Sequence, residues 1–210
     1  MAFVLVTNSK GGVGKTTLTA SLALTAQYTG HQVALIDLDR QKSLSRFAQL
    51  AKIPYQSGLQ LGPRKFARKK GAGLLLIDTK ATLRGRELEE AVAFADAIIV
   101  PCTTSHVDID ATSRFLKRLR RIKDLKKGRA QLIPVLNRMR LNATLGTQIE
   151  QAELDLQAPV GAWFPATKAF EDVLATGRGM QHSRYARRGE VLENLQKLLH
   201  LCGLNPTKTR

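Results

Sequence analysis

Phe3-Val4-Leu5-Val6-Thr7-Asn8-Ser9-Lys10-Gly11-Gly12-Val13-Gly14-Lys15-Thr16-Thr17 runs from an apolar stretch through a glycine-rich turn with two lysines into a helix-like segment. Strand, turn and helix in that order make the turn a phosphate cradle. Glycines at 11, 12 and 14 remove Cβ atoms, so successive backbone N–H groups can converge on phosphate oxygens at the positive end of the following helix. The candidate nucleotide-contacting residues are therefore Lys10, Gly11, Gly12, Val13, Gly14, Lys15, Thr16 and Thr17. Lys15 would sit on the β and γ phosphates, and the Thr16 hydroxyl would take one position around Mg²⁺. The general pattern G-x-x-x-x-G-K-[ST] asks for glycine at position 9, where this chain has Ser9; the match is to the compact variant K-G-G-x-G-K-T-T.

Outward from the turn, segments of strand and helix alternate along the chain. Strands are expected at 3–8, 32–37, 55–61, 74–78, 97–100, 131–136 and 159–164. Helices are expected at 16–29, 43–52, 85–95, 108–127, 144–155, 167–176 and 189–202, with residues 62–73 as a basic connector. Several strands are nearly continuous apolar runs, as when both faces of a parallel sheet are covered. The expected fold is a doubly wound, mostly parallel α/β P-loop NTPase sheet with helices on both faces, forming a single domain over 1–204 with a frayed polar tail at 205–210. Ligands in such sheets bind at the carboxyl ends of strands. Two strands deliver carboxylates there, Asp37 with Asp39 on one and Asp78 on the other. An Asp that follows four apolar residues is costly to place unless it meets a cation or solvent. For Asp37, capping of the next element is the alternative role.

The opening Lys10, taken with Asp37-Leu38-Asp39-Arg40-Gln41, resembles the ParA/MinD group of deviant Walker ATPases, and the resemblance runs from about residue 3 to at least 180. It implies that Lys10 reaches across a homodimer to the phosphates of ATP held by the partner subunit, so that Lys10, Lys15 and Asp39 form the catalytic set. It further implies that Asp39 orients the attacking water, that Asp37 and Asp78 lie near the magnesium shell with Thr16, and that Asn137 contacts the adenine. An Asn at that strand end also suits a simple turn into a loop. Two positions depart from the family pattern: Arg40 stands where a Pro usually follows Asp39, and Lys80-Ala81 where a Pro pair usually follows Thr79. Prolines lost from these segments loosen them in the unbound state.

Lys and Arg number 33 against 17 Asp and Glu, a net charge of +16. Such a field concentrates polyanions, with nucleic acid the commonest candidate and acidic lipid the rival. The cations gather on the 108–127 segment and in Gly177–Gly189, where Arg178, Arg184, Arg187 and Arg188 lie. No zinc spacing or aromatic RNA-binding pattern accompanies them, so binding is expected to be to the backbone and independent of sequence. The resemblance agrees: small ParA proteins bind nonspecific DNA as ATP dimers and release it after hydrolysis, through C-terminal basic residues, which favours the 178–188 cluster. It implies a cytoplasmic, nucleoid-associated protein with a ParB-like or other cargo adaptor that stimulates hydrolysis.

No run approaches the ~20 apolar residues of a membrane span. The segment 191–204 carries one Lys and one Glu, so it reads as a helix packed on the sheet rather than a lipid-seeking one, and no membrane partner is expected, against the alternative of a MinD-like membrane switch. Cys102 and Cys202 are too few for a disulfide framework and do not match the paired spacing of a cluster-bearing reductase on this scaffold. A further alternative is a protein that binds nucleotide without hydrolysing it and acts as a DNA-coating scaffold.

Overall fold

The computed structural model describes residues 1–58 and 62–205. Seven parallel strands form one sheet: β1 (Ala2–Val6), β2 (Val33–Asp37), β3 (Tyr55–Ser57), β4 (Leu74–Asp78), β5 (Ala97–Cys102), β6 (Gln131–Met139) and β7 (Ala162–Pro165). Their spatial order is β3-β2-β4-β1-β5-β6-β7, with β1 paired in parallel to both β4 and β5. The helices are α1 (Lys15–Tyr28), α2 (Ser43–Leu50), α3 (Pro63–Lys69), α4 (Arg86–Phe94), α5 (His106–Leu119), α6 (Lys123–Lys126), α7 (Leu145–Leu156), α8 (Ala169–Thr176) and α9 (Arg188–Leu201). The doubly wound parallel α/β fold expected from the sequence is the one observed.

Alternation within the apolar runs divides the core in two. Val4 and Val6 of β1, with Leu74 and Leu76 of β4, face one layer with α1, α2, α8 and α9. Phe3, Leu5, Leu75 and Ile77 face the other, with α3, α4, α5 and α7. A period of two on a strand whose two faces are both covered requires this continuous hydrophobicity. Helix α1 lies against α2, α8 and α9 and is buried round much of its circumference, which explains its run of Leu, Ala, Ser and Thr. Both cysteines are buried. Among the described residues no helix is long and apolar enough to cross a membrane.

Two expectations are corrected. The basic connector at 62–73 contains helix α3, entered through Gly62 with Pro63 in its first turn. Proline is pre-organised for a helical start and lacks the N–H that would go unpaired there. Pro63, Phe66 and Ala67 bury one side, and Arg64 lies over the Phe3 ring with 4.8 Å from guanidinium to centroid. The helix over 108–127 is broken into α5 and α6. Ile122 is extended at φ −68°, ψ 134°, and the turn brings Ile122 and Leu125 against the core layer that holds α4. A straight helix would have stacked cations without acidic partners at i,i+4, which are mutually repulsive. The expected third strand ends at Ser57; its remaining residues 59–61, and 206–210 of the expected tail, lie outside the described residues.

Candidate functional site

The glycine turn closes the carboxyl end of β1 and feeds α1. Gly14 sits at the helix N-cap with φ +87°, where a side chain is strained, and a Cβ there would fall 2.2 Å from the Asn137 Nδ2. The Lys15 ammonium folds back to donate to the Lys10 carbonyl at 2.8 Å, curling the loop around the space between them. Burial lowers the Lys15 pKa, against the pull of Asp78 and then Asp39. The Lys10 ammonium takes a different path. It pairs with Asp108 Oδ1 at 3.2 Å, outside the curl.

Asp78 is the most unusual carboxylate of the chain. It is fully buried at the end of β4, its Oδ2 accepts from the Thr16 hydroxyl at 2.6 Å, and its Oδ1 has no hydrogen-bond partner. A buried acceptor left unpaired is expensive. Burial pushes the Asp78 pKa up to about 7, with the Thr16 bond opposing it. The free oxygen beside a threonine hydroxyl at the phosphate turn is what a hard, oxygen-seeking cation needs. Among the described residues no group of three or more His, Cys, Asp and Glu is arranged to hold a metal by itself. That composition fits Mg²⁺, which keeps waters and phosphate oxygens in its shell, better than a cation needing an all-protein cage.

Asp78 also makes stability pH-dependent in a direction opposite to ordinary acid denaturation. Between about pH 4 and pH 7 the folded protein retains a proton on Asp78 that the unfolded chain has released. The folded state binds more protons there, so the nucleotide-free protein is expected to lose stability as pH rises through that window. Thermal melts without Mg²⁺ across the window, on wild type and Asp78→Asn, check this: the variant should lose that falling contribution. Identical pH slopes in the two proteins would assign the effect elsewhere.

The structure ties Asp37 to its own loop. Its Oδ2 accepts from the Ser45 backbone N–H at 2.8 Å and the Ser45 hydroxyl at 2.9 Å, and its Oδ1 from the Asp39 N–H at 3.0 Å. These contacts match the capping role left open for it in the sequence, while Thr16 meets Asp78. Asp39 sits in the β2–α2 loop; its Oδ1 accepts from the Gln41 N–H at 3.0 Å and its carbonyl from Lys42 at 3.1 Å. These bonds form the turn that a proline at position 40 would otherwise have stiffened. Lys80, the other departure, is held at 2.8 Å by Glu87 on α4.

Asn137 lies in β6 with its amide N–H₂ donating to the Val13 carbonyl at 2.9 Å and its Oδ1 accepting from the Arg138 N–H at 3.0 Å. It braces the phosphate turn and lines a cavity of about 320 Å³ with Gly14, Thr17, Pro165 and Phe170. The cavity adjoins the turn on the side away from Asp78's loop, where a base can lie.

Two residues of this network were missed in the sequence. Asn8 accepts from the Lys10 N–H at 3.1 Å and donates to the Pro101 carbonyl and Thr112 hydroxyl at 2.8 and 2.9 Å. Asp108 holds Lys10 and accepts from the Thr103 hydroxyl at 2.6 Å; its pKa is lowered chiefly by that bond. The signal was present as Ser105-His106-Val107-Asp108, a helix-capping pattern in which Ser105 Oγ accepts from the Asp108 N–H at 3.2 Å.

Arg178, Arg184, Arg187 and Arg188 are all exposed. Arg178 and Arg184 line one hollow with His182, whereas Arg187 is engaged with Glu190 at 2.7 Å.

A seven-stranded parallel sheet with a glycine cradle between its central strand and a buried helix defines a P-loop nucleotide-binding protein. Residues 4–180 match the CobQ/CobB/MinD/ParA nucleotide binding domain, and the chain belongs to that family. It is 32% identical over 111 residues to the Maintenance of carboxysome distribution protein A of Gloeobacter kilaueensis, covering 50% of this chain and 51% of that one. The chain spans about half the length, or less, of the curated relatives it matches. Its backbone superposes on a chain of the MinC:MinD cell division protein complex of Aquifex aeolicus with a TM-score of 0.74 at 16% identity, covering 100% and 99% of the two chains. An ATP complex of a Cyanothece McdA variant gives a TM-score of 0.72 at 14% identity, covering 100% and 99%.

Proposed function

We propose that this chain is a ParA-type positioning ATPase: it binds Mg²⁺·ATP, pairs into a homodimer around two nucleotides, holds nonspecific DNA in that state, and lets go after hydrolysis. The observation that carries this reading is the divergence of the two lysines of one turn. Lys15 curls into its own cradle, while Lys10 stands outside it at 3.2 Å from Asp108 and is free to exchange that carboxylate for a partner subunit's phosphates.

In this reading Lys15 and the backbone N–H groups from Gly11 to Thr17 orient the phosphates. Thr16 and the free oxygen of Asp78 would hold Mg²⁺, which would supply charge neutralisation on the phosphate oxygens. Asp37 stabilises the loop that carries Asp39, and Asp39 leaves its turn with Gln41 to orient water. Positive charge and orientation are the main requirements of phosphoryl transfer, whose transition state is loose. Asn137 positions the turn and closes the cavity for the base. The basic 178–188 cluster serves DNA. Relatives named for carboxysome distribution and cell division support positioning of a cargo, with an adaptor protein of ParB type stimulating hydrolysis at a cytoplasmic, nucleoid-bound site. Helix α9 buries Val191, Leu195, Leu198 and Leu199 in the core, so its apolar face is already covered by protein, which favours DNA over a membrane surface.

Light scattering with ATP, with ADP and without nucleotide, alongside DNA co-sedimentation in the same three states, tests the switch. The expected result is a doubled mass and DNA retention with ATP only. An unchanged subunit mass in all three states, even when hydrolysis is blocked, would falsify the dimer switch.

A further inference from the structure

We infer that the DNA surface is not confined to the 178–188 cluster: it continues round the amino-terminal edge of the sheet as a basic rim formed by the end of α3 and the α5–α6 turn, which grips a duplex through its phosphates. This rests on the DNA-binding reading above and adds a second site to it.

The edge is defined by hydrogen bonds. Gly73 N–H donates to the Gln32 carbonyl at 2.8 Å and Ala2 N–H to the Gly73 carbonyl at 2.9 Å. Asp96 N–H donates to Phe3 at 2.8 Å and Gln131 N–H to Asp96 at 2.9 Å. The starts of β2, β4, β1, β5 and β6 are thus stitched side by side. A helix that returns the chain to a parallel strand ends at this edge, opposite the phosphate turn. Helix α3 delivers Arg68, Lys69 and Lys70 there, and the α5–α6 turn delivers Arg121, Lys123 and Lys127, all of them exposed. The two groups feed β4 and β6, three strand spacings apart in the order β4-β1-β5-β6 and hence about 14 Å. That lies well within one ~34 Å turn of duplex.

Glu89 and Asp124 share a hollow with Arg121 and Lys123, so the rim is not free of acids, but cations outnumber them and the acids are largely engaged elsewhere. Asp96 accepts from the Phe3 N–H at 2.9 Å, Asp124 pairs with Arg129 at 2.8 Å, and Glu153 accepts from the Val160 N–H at 2.7 Å. Among the described residues none of the six rim cations takes part in an ion pair. Like charges held at this spacing repel until a polyanion relieves them. Arg178 comes to the same edge from the other face: it follows α8, and Gly177 packs on Leu50 and Ala51 at the end of α2. The rim therefore wraps one edge and leaves the nucleotide side free for a second subunit.

The test is the salt dependence of ATP-dependent binding to a labelled duplex of arbitrary sequence, measured by fluorescence anisotropy. Two variants are compared with wild type: Arg68→Ala/Lys69→Ala/Lys70→Ala and Arg121→Ala/Lys123→Ala/Lys127→Ala. Each phosphate contact contributes about 0.9 to the slope of log K against log salt, so each triple should flatten it by up to about 2.7 and weaken binding alike on all sequences. The charge-keeping Arg68→Lys/Lys69→Arg/Lys70→Arg should bind as wild type. A wild-type slope in either alanine triple, or failure of the charge-keeping variant to bind, overturns the rim while leaving DNA binding by the 178–188 cluster in place. If wild type binds no duplex in any nucleotide state, or binds only phosphatidylglycerol vesicles, the DNA reading itself falls and the rim with it.

Discussion

Lys15→Ala is expected to abolish measurable ATP binding while leaving the fold intact. The Lys15 ammonium is buried, and burial lowers its pKa, so the folded protein already bears the cost of keeping a charge there. A phosphate pair is the partner that can offset this cost, because its fixed negative charge sits in the same low-dielectric cradle. Hydrogen bonds to charged groups are worth about 1.5–3 kcal/mol each, so losing one to each of two phosphates lowers affinity roughly a hundredfold or more. Truncation also releases the Lys10 carbonyl that the ammonium holds at 2.8 Å, so the cradle loses its curl along with its charge. Titration calorimetry with Mg²⁺·ATP, checked against an unchanged circular dichroism spectrum, measures the effect. Affinity within a few fold of wild type would remove Lys15 from the phosphates.

The fold was legible wherever one local signal sufficed. The apolar runs at 3–6, 33–36 and 74–77 could be placed as interior strands because no alternation interrupted them, and the observed sheet divides their side chains between two core layers. Legibility failed where tertiary contacts outweighed composition. Five cations among residues 62–73 concealed Pro63, Phe66 and Ala67, whose spacing of three and four places one apolar stripe on a helix. The break after Leu119 carries no Gly or Pro; it follows from Ile122 and Leu125 reaching a core that the local sequence does not reveal. In the site, the carboxylates could be found but not told apart. Asp37 and Asp78 both end buried strands, and only the fold shows that Ser45 meets the first and Thr16 the second.

The same distinction bears on how the nucleotide signal leaves the site. Lys10, Asn8 and Asp108 connect the phosphate turn to Pro101, Thr103 and Thr112 around the end of β5 and the start of α5. In the proposed dimer, transferring Lys10 to a partner's phosphates would unpair Asp108 and release its hold on the start of α5. Under the same proposal, hydrolysis would restore the original pairing. On the other flank, the β2–α2 loop is fastened by Asp37 to Ser45 at one end and by Asp39 to Gln41 at the other, and only the second of these fastenings is exposed. Under the proposed function, the exposed Asp39 turn is the part expected to rearrange during hydrolysis, with the buried Asp37 contacts as its anchor.

Asp39→Ala is the substitution that isolates this turn, and it should give ATP-bound dimers that persist while turnover falls about a hundredfold or more, the range for loss of a positioned acid–base group. Among the described residues the Asp39 carboxylate makes no hydrogen bond or ion pair with Thr16 or the glycine turn, so nucleotide affinity should survive. Its charge acts on Lys15 at a distance, so a modest change in affinity is compatible with the role. Alanine also deletes the acceptor for the Gln41 N–H, which allows a purely structural cause. Asp39→Asn separates the two: its amide oxygen can still accept from Gln41, but it carries no negative charge to orient water. Phosphate release should therefore be slow in both variants, with the loop better ordered in the asparagine one. Recovery of turnover in Asp39→Asn would make Asp39 a loop-positioning residue, and normal turnover in Asp39→Ala would remove it from hydrolysis altogether.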